Sequence, residues 1–161
     1  MRVGSAVAVW AVILSGAGCG AASSEKGPVD AAQGRLVTFR GLDSGSRSGI
    51  AFSLERVVKS AEEWERLWLA HQAGAFPQRP LPAVDFSSSL CIAIFAGERP
   101  TGGFAVKVDQ VVESAGGLEV VYRVTGPAPG AIVSQALSSP FQIIAVASRP
   151  GPVRFRRLPE G

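Results

Sequence analysis

Leu90-Cys91-Ile92-Ala93-Ile94-Phe95-Ala96 is the stretch on which the fold turns. Every residue in it is small and apolar, aliphatic or aromatic, and Gly97 closes it. Successive side chains of a strand point to opposite faces, so a run without a polar member is buried on both. It therefore reads as a central strand.

Upstream of it, Phe76 to Ser89 carries Pro77, Pro80 and Pro82 and reads as an extended connector. Before that the hydrophobic period changes. Ser60 stands three residues ahead of Glu63, the spacing of a capping box, in which each side chain satisfies the other's orphan amide. Trp64, Leu67, Trp68 and His71 then follow at three- and four-residue spacing, one apolar face of a helix that Gly74 and Pro77 end. Further upstream, Arg35 to Gly41 alternates, Asp43 to Gly49 reads as a turn, and Ile50 to Val58 resumes strand alternation with Phe52 and Leu54 on one face.

Downstream, Gly97-Glu98-Arg99-Pro100-Thr101-Gly102-Gly103 reads as a loop. Phe104–Val112 and Leu118–Val124 read as a hairpin turned at Ser114-Ala115-Gly116-Gly117. Gly126-Pro127-Ala128-Pro129-Gly130 reads as a rigid loop, and Ser139–Val146 with Pro152–Leu158 as a final strand pair. Consecutive strands with one inserted helix predict an α+β fold, mainly antiparallel β sheet or sandwich with one packed helix.

The search for catalytic patterns is negative. There is no His-Glu-x-x-His, Cys-x-x-Cys, Gly-x-Ser-x-Gly or phosphate-binding glycine loop. The sole histidine, His71, reads as a helix-face residue suited to the C-terminal dipole. Cys91 reads as a small buried hydrophobe. Arg154 and Arg156 alternate with Val153 and Phe155, as on the wet face of an edge strand, and no stripe of aromatic and basic residues supports nucleic-acid binding. The expectation is a chain that is not an enzyme and takes no cofactor or metal.

Arg99 to Phe104 is the most informative loop. Pro100 fixes a backbone angle, Gly102 and Gly103 permit positive φ, and Thr101 supplies a hydroxyl. Two readings stand: a tight turn between strands, or an exposed partner-binding loop of fixed shape, joined by Pro127, Pro129 and Gly130. In the second, Arg99 donates hydrogen bonds to a partner and Phe104 anchors an apolar contact, although Phe104 also suits a core position.

The order of the Trp64 helix, Val84-Asp85-Phe86, the apolar strand, Gly97-Glu98-Arg99-Pro100-Thr101-Gly102-Gly103-Phe104, two strands, Pro127-Ala128-Pro129-Gly130 and Ser138-Ser139-Pro140-Phe141 resembles the PrcB-like C-terminal domain. The resemblance runs from about Val58 to Arg154. It implies a non-catalytic, exported domain that serves a protease complex as a subunit. Phe104 and Phe141 stand where tyrosine is common in that family, and Ala131 where many relatives carry cysteine. The Arg99–Phe104 string is also similar to the inserting loop of chagasin-type cysteine protease inhibitors.

The N-terminus implies export. Met1-Arg2 is a minimal basic start, and Val3 to Leu14 is a nearly unbroken apolar run, short of the about 20 residues that span a bilayer. Ser15-Gly16-Ala17-Gly18-Cys19 resembles the lipobox of bacterial lipoproteins, with Gly16 where that motif usually has leucine. The resemblance implies acylation of Cys19; the alternative is an ordinary cleaved signal peptide. Gly20 to Gly34 is small and polar and reads as a tether. The expected organisation is a signal peptide over 1–18, a lipidated cysteine and tether over 19–34, and a β-rich domain over 35–161.

These readings converge on an exported, lipid-anchored binding module in the bacterial cell envelope. Gly20 in place of aspartate leans towards the outer membrane. The expected partners are an extracytoplasmic protease and the membrane, reached through the lipid. The alternatives are a protease inhibitor acting by loop insertion and a structural envelope lipoprotein.

Overall fold

The computed structural model describes residues 34–159. The signal peptide and lipidated Cys19 expected from the sequence lie outside the described residues.

The apolar run forms strand β4, Ser89–Ala96, and every residue from Leu90 to Ala96 is buried. Its sheet has the order β2-β7-β4-β3, where β2 is Phe39–Gly45, β3 is Ser53–Val58 and β7 is Phe141–Ala147; every pairing in it is antiparallel. A second four-stranded sheet has the order β1-β5-β6-β8, with β1 Arg35–Val37, β5 Ala105–Ser114, β6 Gly117–Thr125 and β8 Val153–Arg157. Among the described residues one helix accompanies them, α1 at Ala61–His71. The architecture is α+β, as the patterning predicts.

The two faces of β4 meet different layers. Leu90, Ile92, Ile94 and Ala96 join Val106, Val111, Val120 and Ile144 in an aliphatic core between the sheets. Cys91, Ala93 and Phe95 join Trp64, Trp68 and Ile143 in a core under the helix. Each isoleucine fully buried in this way contributes about 1.5–3 kcal/mol relative to exposure.

The capping box at the head of α1 is present in altered form. Ser60 Oγ accepts from Glu63 N at 3.2 Å, but Glu63 Oε2 accepts from Lys59 N at 3.1 Å rather than from the cap residue itself. The helix ends at His71, earlier than Gly74.

Three expectations are corrected. Arg35 to Gly41 is not one strand: the chain changes sheet at Thr38. Val37 and Phe39 both face the core between the sheets, so the alternation continues unbroken round the corner. Asp43 to Gly49 is not wholly a turn, because β2 continues to Gly45 past an irregularity between Gly41 and Asp43. The last two strands are not a pair. β7 lies between β2 and β4, and β8 runs parallel to β6 in the other sheet. Pro150-Gly151-Pro152 makes this physical sense, since proline cannot supply the amides a hairpin turn needs.

Candidate functional site

Residues 97–104 carry the chain from β4 in one sheet to β5 in the other. Two glycines make the crossing possible. Gly97 has φ +79° and is buried; a Cβ there would stand 2.9 Å from Ser53 N. Gly103 has φ +84°, and its Cβ would stand 2.9 Å from Pro127 Cβ. Side chains rarely adopt such φ values, and here the space is filled as well.

The loop is braced by the segment between β6 and β7. Arg99 N donates to Ser138 O at 2.7 Å and Ser138 N to Arg99 O at 3.0 Å, a small antiparallel bridge. Ser138 Oγ donates to Thr101 O at 2.6 Å, and Gly102 N to Ser134 O at 2.8 Å. Pro127, from the second predicted loop, packs on Gly103. The structure thus brings together the two loops that the sequence singles out.

The side chains divide into inward and outward. Arg99 turns back on its own loop: Nη2 donates to Ala96 O at 3.1 Å, and the guanidinium lies 5.7 Å from the centre of the Phe104 ring. Its Nε is buried and has no hydrogen-bond partner among the described residues. Phe104 is half-buried, and the Thr101 hydroxyl donates to Gly102 O at 3.1 Å. Pro100, Gly103, Pro129 and Gly130 are exposed.

Two further residues belong to this surface. Ile132 is 102% exposed and Leu137 64% exposed, and they flank the bracing contacts made by Val133, Ser134 and Ser138. A lone aliphatic in a turn-rich segment is a weak sequence signal, and both were missed. Exposed large aliphatics beside a rigid loop are the stuff of a protein-binding patch.

A second cluster gathers at the C-terminal end of α1. His71 Nε2 lies 3.1 Å from Asp43 Oδ2, and its Nδ1 2.9 Å from Ser48 Oγ. Burial, the largest influence, pushes the His71 pKa below its ordinary value against the opposing pull of Asp43. A carboxylate only accepts, so in neutral His71 the Nε2–H donates to Asp43 and Nδ1 accepts from the Ser48 hydroxyl. Arg79 also binds Asp43, and Ser48 Oγ further accepts from Ile50 N at 3.1 Å. His71 stands in the last turn of α1, on the helix face where the sequence reading puts it, and burial opposes the charge that the dipole there favours.

Hydroxyl, imidazole and carboxylate in series have the membership of a hydrolytic triad. Here, however, the His71 side chain is 0% exposed and packed among the rings of Trp68, Phe95 and Phe141, the last at 4.3 Å. A cavity of about 400 Å³ lies beside it, with Ser48, His71, Gln72, Phe76 and Arg79 among the residues that line it. Asp43 and Ser48 between them take up both ring nitrogens. The cluster ties residues 43–50 to the end of the helix.

Cys91 is fully buried, and burial pushes its thiol up to about 12, which suits the core role read from the sequence. Arg154 and Arg156 are exposed on β8, the edge strand of its sheet, as expected; Arg156 Nη2 lies 3.1 Å from Glu119 Oε2. Among the described residues no group of three or more His, Cys, Asp or Glu side chains is placed to hold a metal ion, and no helix is long and apolar enough to cross a membrane.

No curated protein and no solved structure matches the chain. The matched family segment begins at Leu90 and so is shorter than the Val58–Arg154 resemblance; it leaves out α1 and Val84-Asp85-Phe86 and contains the crossing loop, the β5–β6 hairpin and the bracing segment. Over residues 90–147 the chain matches the family model described as PrcB C-terminal.

Proposed function

We propose that the chain is a non-catalytic accessory subunit of an extracytoplasmic protease complex, held at the bacterial envelope through a lipid on Cys19. The family match over residues 90–147 supports association with a protease complex. The observation that carries the reading further is the crossing loop itself. Four hydrogen bonds to residues 134 and 138 fix it, leaving Pro100 and Gly103 outward beside the exposed Ile132 and Leu137. A surface already fixed before binding loses little entropy when it docks, which favours affinity. Because one side of the loop is spent on its brace, docking by a face fits it better than insertion into a cleft as a free wedge.

The test is a crosslinked capture from native envelope with the full chain, set against its Ile132→Asp and Thr101→Asp variants. A protease captured by the wild-type chain and lost with both variants is the expected result. An unchanged set of partners for all three would make the loop a turn and nothing more. Separately, labelling with radioactive palmitate should mark the chain and fail in Cys19→Ala. An unlabelled wild-type chain would leave the domain secreted and unanchored.

A further inference from the structure

The sheet order β2-β7-β4-β3 leaves β3 at an edge. Its six residues pair with β4 in continuous register from Ser53↔Ala96 to Val58↔Cys91, with no bulge. An edge strand turns alternate amides and carbonyls outward, where they template another strand unless something blunts them. Ser53-Leu54-Glu55-Arg56-Val57-Val58 contains no proline. Among the described residues, no hydrogen bond outside the β3–β4 ladder involves its backbone.

Beside this edge lies a groove of about 390 Å³ between β3 and α1. Phe52, Leu54 and Arg56 supply one wall, the period-two set on the helix side of the sheet. Leu67 and Ala70, three apart on α1, supply apolar surface opposite. Phe52 is 63% exposed, an aromatic left in water at the groove mouth. The rim carries Arg56, Arg66 and Glu63. Arg56 makes no ion pair among the described residues, and Arg66 pairs only with Glu62, both well exposed. Glu63, the acid on the same rim, is held by Lys59 N.

A free hydrogen-bonding edge, an apolar trough beside it and an arginine without an ion pair ask for one kind of occupant. We infer that the β3–α1 groove takes an extended segment of a partner polypeptide, which adds to β3 as a further strand. Its alternate side chains are apolar and enter the groove, and an acidic side chain meets Arg56. The backbone bonds supply affinity and the groove supplies selection, the division of labour in strand addition. This does not rest on the crossing loop as a binding surface, although the two are linked through Glu98 N, which donates to Ala51 O at 2.7 Å.

The probe is a library of short random peptides displayed and selected against the full chain. The expected winners alternate apolar residues and carry Asp or Glu. They bind Arg56→Glu and Phe52→Ser about ten-fold more weakly or worse, and Ile132→Asp as well as wild type. Both groove variants alter exposed side chains, and their thermal transitions should match that of the wild type. Amide exchange at residues 53–58 should slow when the peptide is bound. Peptides indifferent to both groove variants, or leaving β3 exchange unchanged, would overturn the inference. Loss with Ile132→Asp alone would move the peptide to the loop surface, overturning the groove and leaving the accessory-subunit reading intact. If instead sedimentation showed self-association abolished by Arg56→Glu, the groove would belong to a second copy, and the partner segment would be ruled out.

Discussion

Leu90, Ile92, Ile94 and Ala96 leave one face of β4 and meet an aliphatic layer, while Cys91, Ala93 and Phe95 leave the other and meet tryptophan, histidine and phenylalanine rings. The aliphatic layer has few polar atoms to satisfy, so its contribution follows the area it buries. The aromatic layer carries polar handles, two of which hold the connector between α1 and β4 and the third the end of β2 and the loop after it. Trp64 Nε1 donates to Pro82 O at 2.9 Å, Trp68 Nε1 to Arg79 O at 3.1 Å, and His71 reaches Asp43 and Ser48. One face builds the sandwich. The other builds a fold around the sandwich by fastening its connectors.

The largest test of this contrast is truncation on each side. Ile92→Ala should cost about 2–5 kcal/mol and Trp64→Ala about 3–5 kcal/mol in urea unfolding. The magnitudes overlap; the consequences should not. Trp64→Ala should let a protease cut within residues 76–82 under conditions where the rest of the chain stays folded. Ile92→Ala should weaken the whole cooperatively and expose no early cut. Early cutting in Ile92→Ala would mean that the two layers are one unit and the contrast is only chemical.

Next in size is the response to acid. The His71 pKa is lowered in the folded chain, chiefly by burial. The unfolded chain therefore binds more protons once pH falls below about 6.5, and stability falls with pH. The contribution is whole above the unfolded value and is lost as pH drops through the folded one. Wild-type Tm should decline as pH is lowered from about 7 towards 5, before the carboxylates titrate. In His71→Gln, which retains a polar side chain, Tm should start lower and the decline should flatten. An equal slope in both proteins would remove His71 as its source.

The two layers were not equally legible in the sequence. β4 and the helix announce themselves locally, one by a run without polar residues and the other by apolar spacing after Ser60. The Asp43–Ser48–His71 cluster did not, because its members stand 28 and 23 residues from the histidine and no local period links them. The sheet change at Thr38 was invisible for a different reason: Val37 and Phe39 face the same core, so the pattern has no break to show. β7 and β8 look alike as patterns, and which sheet each joins depends on contacts across the fold. The crossing loop was legible as glycines and proline. Its brace was not: Ser138-Ser139-Pro140-Phe141 stands out as a motif, but nothing local says that Ser134 and Ser138 bond to a loop more than thirty residues earlier.

The smallest effect comes from the aliphatic side, which has one titrating group of its own. Tyr122 is buried in the core between the sheets, and its hydroxyl donates to Glu55 across them. Burial first, then the bond and charge of Glu55, push its pKa up to about 12. The folded state thus holds its proton more firmly than the unfolded state does. The stability it adds is present below the unfolded value of about 10 and is lost as pH rises through the folded one. Tyr122 is the chain's only tyrosine, so the ultraviolet change on phenol ionisation reports it alone. The folded protein should show none at pH 10.5, and Glu55→Gln should advance the transition towards lower pH. Ionisation of the wild type near pH 10 would make the aliphatic layer looser than its packing implies. The expected result would leave each layer sensitive at its own end of the pH scale, the aromatic one to acid through His71 and the aliphatic one to alkali through Tyr122.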